Sequence, residues 1–576
     1  MPAAASVVAA APVIPAAAPR EPEAAAVGRH EGGAVPAAPS LTPPAARAAA
    51  SNVNDPGSAR LPAHGMSATA SGIATTAGGG ATALLAAAEA ARVPFEDSEF
   101  PAAPSSLWHT SGSGARWAHL KWLRAHAIAF GHDLGNAGAD DAPLALFDAD
   151  IVPDDVRQGQ LGDCYFMSAL AAVAERPALI RGLFLNDAAS DVGAYAVRLY
   201  VDGAPVEIVV DDRFPCMPDG RPAFTRGKGR ELWVLVLEKA WAKLHGSYEA
   251  IESGGAGVAL SALLGVPHET LRTCPEADDA DGDAAAEPPQ GLRSRILAGR
   301  LGGSVMCASI GAAAPPGELD AVGLVGNHEY SVVDAREVDD TCFVRLRNPW
   351  GRGEWSGAYS DKSPAWTPGL KAALEYADEN DGTFWMALED FERYFETVSL
   401  VPLRPHAVRE WVAADVPPGS TTVVEFEVPS PGAAHASITL HQAVDRRGGA
   451  GVASRQGVCR ARFQLAGVRR DGGLEYIGHS RNVRDGVPAL TMDLRGLAAG
   501  GYRVFVDGAF GAPTTCLRVS TYADVRLGLA LRAVVAGRPE AALAGAYERA
   551  TRAHGSPLGG MGDAGRSAWR WTVRAR

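Results

Sequence analysis

Within residues 158–166, Gln-Gly-Gln-Leu-Gly-Asp-Cys-Tyr-Phe, a single cysteine opens an apolar, helix-forming run that continues to Val173. That placement constrains the fold more than any other feature of the chain. A helix start presents N–H groups with no partner inside the helix and a partial positive charge, and both favour a thiolate at Cys164 over a thiol. A thiolate is a nucleophile. For that chemistry the fold must bring to this one helix end a base, a residue that orients the base, and a donor for a developing oxyanion. Gln158, upstream on the same segment, carries an amide suited to the last task.

Downstream, Gly323–Val332 and Phe343–Gly351 are strand-like runs flanking a polar loop, Arg336–Asp340. The pattern predicts a β-hairpin. Centred on Val338, it sets His328 directly opposite Asn348, with Cβ atoms roughly 5 Å apart. An amide there fixes the imidazole tautomer and aims the ring. The order Cys, His, Asn is one of the convergent forms of the nucleophile, base and orienter arrangement. Taken singly, each has a plainer reading: a core cysteine, a structural histidine, a turn with a packed aromatic. The combination in order is what carries chemistry.

Further segments, Phe95–Leu107, Val210–Pro215, Glu231–Lys243, Gly246–Ala250, Arg347–Gly351 and Asp381–Met386, follow one another in a fixed order. Through them, over residues 92–402, the chain resembles the calpain family of papain-like cysteine peptidases. The resemblance implies an α+β papain-like core of two subdomains, 92–265 with the cysteine helix and 266–403 with the His/Asn hairpin, and a cleft between them. It implies limited cleavage of protein substrates, with Cys164 as nucleophile, His328 as base, Asn348 as orienter and Gln158 as oxyanion donor. Tyr165 stands where the family usually carries tryptophan. Trp350 is expected between the halves, obstructing the cleft until they close. Calcium is implied as a cofactor. Glu354, Asp361, Glu379 and Asp381 match the second of two core sites, with Thr383 where an acid is often found. Asp155 matches the first site, but its partner acid after Gly254-Gly255 is missing. Hard cations want several such oxygens.

Outside the core, residues 1–91 are Ala/Pro/Gly-rich with no aromatic before Phe95, so a disordered extension is expected, with a short helix over Leu84–Arg92. Glu276–Gln290 reads as an exposed acidic insertion. Residues 404–525 alternate with Gly/Pro turns and predict a β-sandwich, similar to the C2-like domain that follows the core in calpains. Its arginines, among them Arg446, Arg447, Arg460, Arg462, Arg469 and Arg470, are either an ordinary solvated face or a contact for anionic membrane or an acidic partner. Residues 526–576 are expected to hold a helix over Pro539–Thr551 and a basic tail. A net charge of −13 argues against nucleic-acid binding. Seven scattered cysteines without a Cys-x-x-Cys pair argue against zinc and a disulfide framework, and a free thiol fits a reducing compartment. The chain is therefore expected to be soluble, intracellular and cytoplasmic. Two other classes compete with a peptidase: a catalytically silent scaffolding protein using the C2-like domain, and a transglutaminase-type acyltransferase, against which Asn348 in place of aspartate counts.

Overall fold

The chain folds as mixed α and β structure followed by a β-rich C-terminal region. A computed structural model describes residues 80–536 except 110–113, 131–142, 148–149, 274–288, 312–315, 405, 418–419, 432–433, 443–460, 480–488 and 509–514. The expected extension up to residue 79, nearly all of the acidic insertion, Arg446, Arg447, Arg460 and the expected helix at 539–551 lie outside the described residues.

In the first part of the core, strands Ala194–Val201 and Ala204–Asp211 pair around Asp202-Gly203. Both turn residues have positive φ, 50° and 76°, as a two-residue hairpin turn requires. The helix Gly80–Ala91 begins four residues before the expected Leu84 and docks Ala81 and Leu85 on Ala194, Ala196 and Val209 of this hairpin. Against the usual exposure of lysine, every residue of the helix Trp233–His245 from Trp233 to Lys243 is buried. The reason is charge pairing. Lys239 and Lys243, one turn apart on one face, both point inward. Lys239 Nζ bonds the Asp211 carboxylate and also donates to Asp211 O at 3.1 Å and Arg213 O at 2.6 Å. Lys243 Nζ meets Asp97 Oδ2 at 2.8 Å and Val209 O at 2.8 Å. The Asp97 N–H donates to Asp211 Oδ2 at 3.0 Å. Three separated sequence segments are thus tied into one buried network.

The second part is a six-stranded antiparallel sheet in the order Glu269–Arg272, Thr397–Val401, Val305–Ile310, His328–Val338, Thr341–Arg347, Thr383–Ala387. The expected five-residue loop is instead a two-residue turn. Val338 pairs with Thr341, and Asp339 and Asp340 both take positive φ, 49° and 64°. Aspartate tolerates this conformation better than most residues.

The C-terminal strands form two antiparallel sheets, one of four strands and one of five. Val424, Phe426 and Val504 of one and Ile438, Leu440 and Leu517 of the other share a core. The strand Ala530–Ala536 pairs with Ser420–Val428 and carries the five-stranded sheet past residue 525, the limit expected from sequence. This region docks on the core through Arg409, which donates to Gly265 O at 3.0 Å and Leu264 O at 2.9 Å, and through Arg518, which donates to Val201 O at 2.6 Å. Among the described residues no helix is long and apolar enough to cross a membrane.

Candidate active site

Cys164 is the first residue of the helix Cys164–Ala174 and the one residue of it that is not buried. The helix lies against the strand His328–Val338, and serines lock the two together. Ser168 Oγ donates to Glu329 O at 2.8 Å, and Ser331 Oγ donates to Ser168 O at 2.8 Å. The same packing lets the backbone of Glu329, the neighbour of His328, hydrogen-bond the Cys164 sulfur. Sequence reasoning overlooked both serines. Ser168, one helical turn after Cys164, was the available signal.

His328 and Asn348 come together by a route the sequence did not reveal. Near the turn Asp334 pairs with Arg345, whereas beyond it Val332 pairs with Leu346, so Val333 is a β-bulge. A one-residue slip exchanges the two faces of a strand. Without the bulge His328 and Asn348 would point to opposite faces; with it they share one. His328 Nε2 lies 2.9 Å from Asn348 Oδ1. Both residues are buried, at 5% and 0% exposure. The orientation of the amide follows from its other bonds. Asn348 Nδ2 donates to Gly353 O at 3.1 Å, and Trp350 N donates to Asn348 Oδ1 at 3.1 Å. With Oδ1 as acceptor, the neutral imidazole carries its proton on Nε2, and Nδ1 is the basic nitrogen.

Burial outweighs the helix-start effect expected to favour a thiolate at Cys164. Burial pushes the Cys164 thiol up to about 12, and the hydrogen bonds from Glu329 and Tyr165 backbone only partly offset it. Burial pulls His328 down to about 4 against the opposing effect of Asn348. Beneath the helix start, burial pushes Asp163 up to about 7, and burial and Asp163 raise Glu238 beside it too. The Asp163 carboxylate adds to the effect of burial in raising Cys164. Tyr165 is buried and its hydroxyl accepts from Trp241 Nε1 at 3.0 Å.

Gln158 sits beside this pair, but its amide is engaged. Nε2 donates to Leu161 O at 2.7 Å, and Oε1 accepts from Trp350 Nε1 at 2.9 Å. Trp350, 39% exposed, stands between the two parts of the core, with its ring centroid 4.6 Å from that of His328. Gln158 N also donates to Pro349 O at 3.0 Å, and buried Arg347 donates to Val156 O at 3.1 Å.

The acids expected to hold calcium divide into two cases. Glu354 Oε1 accepts from Gly382 N at 2.9 Å, and Asp381 Oδ1 from Thr383 N at 2.8 Å. Asp361 is pushed up to about 7, by burial first and then by Glu354, Asp378 and Asp381. Glu354, Asp361 and Asp381 therefore crowd one region, joined by Asp378. Glu379 is exposed and does not figure among the charges acting on Asp361. Among the described residues no three acidic, histidine or cysteine side chains converge as metal ligands. The two observations are compatible: the carboxylates are close enough to repel, yet do not aim at one point. Carboxylate oxygens are the donors a hard divalent cation takes, and repulsion of this kind is what such a cation relieves. Asp155 does not fit. Its Oδ2 accepts from Val152 N at 2.8 Å, its carboxyl also bonds Glu231, and it is buried. The helix Ala256–Leu264 after Gly254-Gly255 offers no acid.

The sequence model of the calpain family of cysteine proteases matches residues 95–401. The calpain-type cysteine protease DEK1 of Arabidopsis thaliana is 36% identical over 324 residues, which are 55% of this chain and 14% of DEK1. Human calpain-9 is 29% identical over 331 residues, 55% of this chain and 44% of its own. Mouse calpain-8 is 32% identical over 331 residues, 54% of this chain and 43% of its own. The chain thus spans less than half the length of each of these relatives.

Proposed function

Because the chain belongs to the calpain family of cysteine proteases, we propose that it is an endopeptidase making limited cuts in protein substrates through Cys164, His328 and Asn348. The observation that carries the reading is the 2.9 Å contact between His328 and Asn348, made on the strand to which the cysteine helix is pinned. In the reaction, His328 Nδ1 takes the thiol proton as a substrate carbonyl approaches, and the sulfur attacks that carbonyl. The oxyanion is met by the Gln158 amide once it exchanges Leu161 O for the substrate. His328 then returns its proton to the leaving amine, and water resolves the acyl-enzyme by the same steps. Asn348 keeps Nδ1 as the base throughout. Glu354, Asp361 and Asp381 would hold calcium, which when bound supplies positive charge among these carboxylates. The two-sheet region after the core is the C2-like domain of this reading.

A second reading, a catalytically silent interaction protein, draws support from the engaged Gln158 amide and the Trp350 ring over His328. An irreversible thiol-directed peptidyl electrophile separates the two. The wild type is expected to be labelled and to cleave a casein-like protein. Cys164→Ser and His328→Ala should each lose cleavage, Asn348→Ala should retain part, and Gln158→Ala should lower turnover by roughly 10²–10³. A wild type that neither takes the label nor cleaves, with calcium or with chelator, would establish the silent form.

A further inference from the structure

We propose that the cleft beside Trp350 is a subsite for an anionic side chain of the substrate, on the C-terminal side of the bond that is cut. This rests on the peptidase reading above and adds a substrate class to it. The cleft, ≈ 470 Å³, is walled by Arg157, Gln158, Arg221, Arg226, Trp350 and Arg352 among others, and no carboxylate lines it among the described residues. A chain with a net charge of −13 has gathered four guanidinium groups around one cavity.

The arrangement differs from an ordinary solvated face. Arg157 is held by Asp154 at 3.2 Å and Arg221 by Asp219 at 2.8 Å, and neither carboxylate is part of the wall. Arg352 is exposed, and it lies close enough to Arg226 to add to the effect of burial in lowering that group. Like charges placed together disfavour their own charged forms, and an anion between them removes the penalty. Guanidinium groups present planar forks that fit a carboxylate or a phosphate. The shared chemistry is therefore an anionic side chain, either Asp/Glu or a phosphorylated residue.

Position follows from the reaction. His328 must hand a proton to the leaving amine, so the segment after the cut departs on the His328 side. The Trp350 ring lies tilted against that of His328, with centroids 4.6 Å apart, and forms one wall of the cleft. Residues following the cut bond therefore pass over Trp350 into the arginines.

Internally quenched peptides that differ only in carrying Ala, Glu, phosphoserine or Lys at the first three positions after the cut test this with the full chain. The expected kcat/KM for Glu exceeds that for Ala roughly fivefold, the size of one partly exposed charge pair. Lys falls below Ala, and the spread narrows as salt rises. Arg352→Glu, at an exposed position, reverses the order of Glu and Lys, and Arg352→Gln narrows the gap. A phosphoserine peptide cut faster than the Glu peptide supports the subsite with phosphorylated segments as its source; one cut no faster supports it with acidic segments. Four peptides cut at one rate, or an order unchanged in Arg352→Glu, overturn the inference while leaving the peptidase reading intact. Failure of that reading has a different signature, no peptide cut and no electrophile on Cys164, and this inference would fall with it.

Discussion

Two groups of charged residues in the core use the same side-chain types to opposite effect. Asp97, Asp211, Lys239 and Lys243 are buried and matched in sign, and each carboxylate faces an ammonium. Glu354, Asp361, Asp378 and Asp381 are partly or largely exposed and all of one sign. In the first group burial alone would raise Asp211, but Lys239 and the surrounding hydrogen bonds hold it below its ordinary range. In the second, burial and the neighbouring carboxylates together push Asp361 up to about 7. The difference shows what a carboxylate cluster is for. A neutral, closed network fastens separate segments of chain. A cluster of one sign is a cost to the fold until a cation joins it.

The largest way to break the comparison is to open the closed network. Lys239→Met should lower unfolding stability by ~3–5 kcal/mol, because Asp211 is left buried without its ammonium. Chemical denaturation measures it, and Lys239→Met with Asp211→Asn should recover part of the loss. A loss below ~1 kcal/mol would mean that the pair is dispensable.

The second test sharpens the other side. An acid whose folded value is raised holds its proton more tightly folded than unfolded. The stability associated with Asp361 is therefore full below its ordinary value of 3.8 and is lost as pH climbs toward 7. Asp361→Asn should flatten that fall. Calcium should raise the melting temperature of the wild type near pH 7 and do little for Asp361→Asn with Glu354→Gln. An equal calcium shift in both proteins would place the cation elsewhere.

The smallest effect contrasts both groups with two half-buried histidines. Burial pulls His268 down to about 4 and His441 to about 3, where the C-terminal sheets meet the core. His441 Nε2 lies 2.8 Å from Ser520 Oγ, and His268 Nδ1 lies 2.9 Å from Ser261 Oγ. Below the ordinary value of 6.5 the unfolded chain binds protons that the folded chain refuses, so stability falls as pH drops from 6.5 toward 4. His441→Asn should make that fall shallower in a melting series across pH. An unchanged slope would assign the acid sensitivity to other groups.

Much of this was legible in the chain. The alternation read over residues 404–525 gives strands such as Ser420–Val428 and Ala434–Gln442. The turn at Asp202-Gly203 follows from a residue pair of the few that accept positive φ twice. A cysteine opening a helix and a His/Asn hairpin are local patterns, and local patterns follow from period and propensity.

What sequence alone determined, then, is which side chains are available and which elements carry them: Cys164 at a helix start, His328 and Asn348 on neighbouring strands. Tertiary structure decided how they meet. Register depends on the turn, and the two-residue turn at Asp339-Asp340 alone would have sent His328 and Asn348 to opposite faces; the bulge at Val333 restores the shared face. The helix at Trp233–Lys243 reads as amphipathic because its lysines look like surface residues, and only the approach of Asp97 and Asp211 from distant segments makes burial of those charges tolerable. Arg157, Arg221 and Arg226 belong to the first part of the core and Arg352 to the second, and they line one cleft only because the two parts pack together. Electrostatics acts through space, and a linear chain does not display which charges will be neighbours.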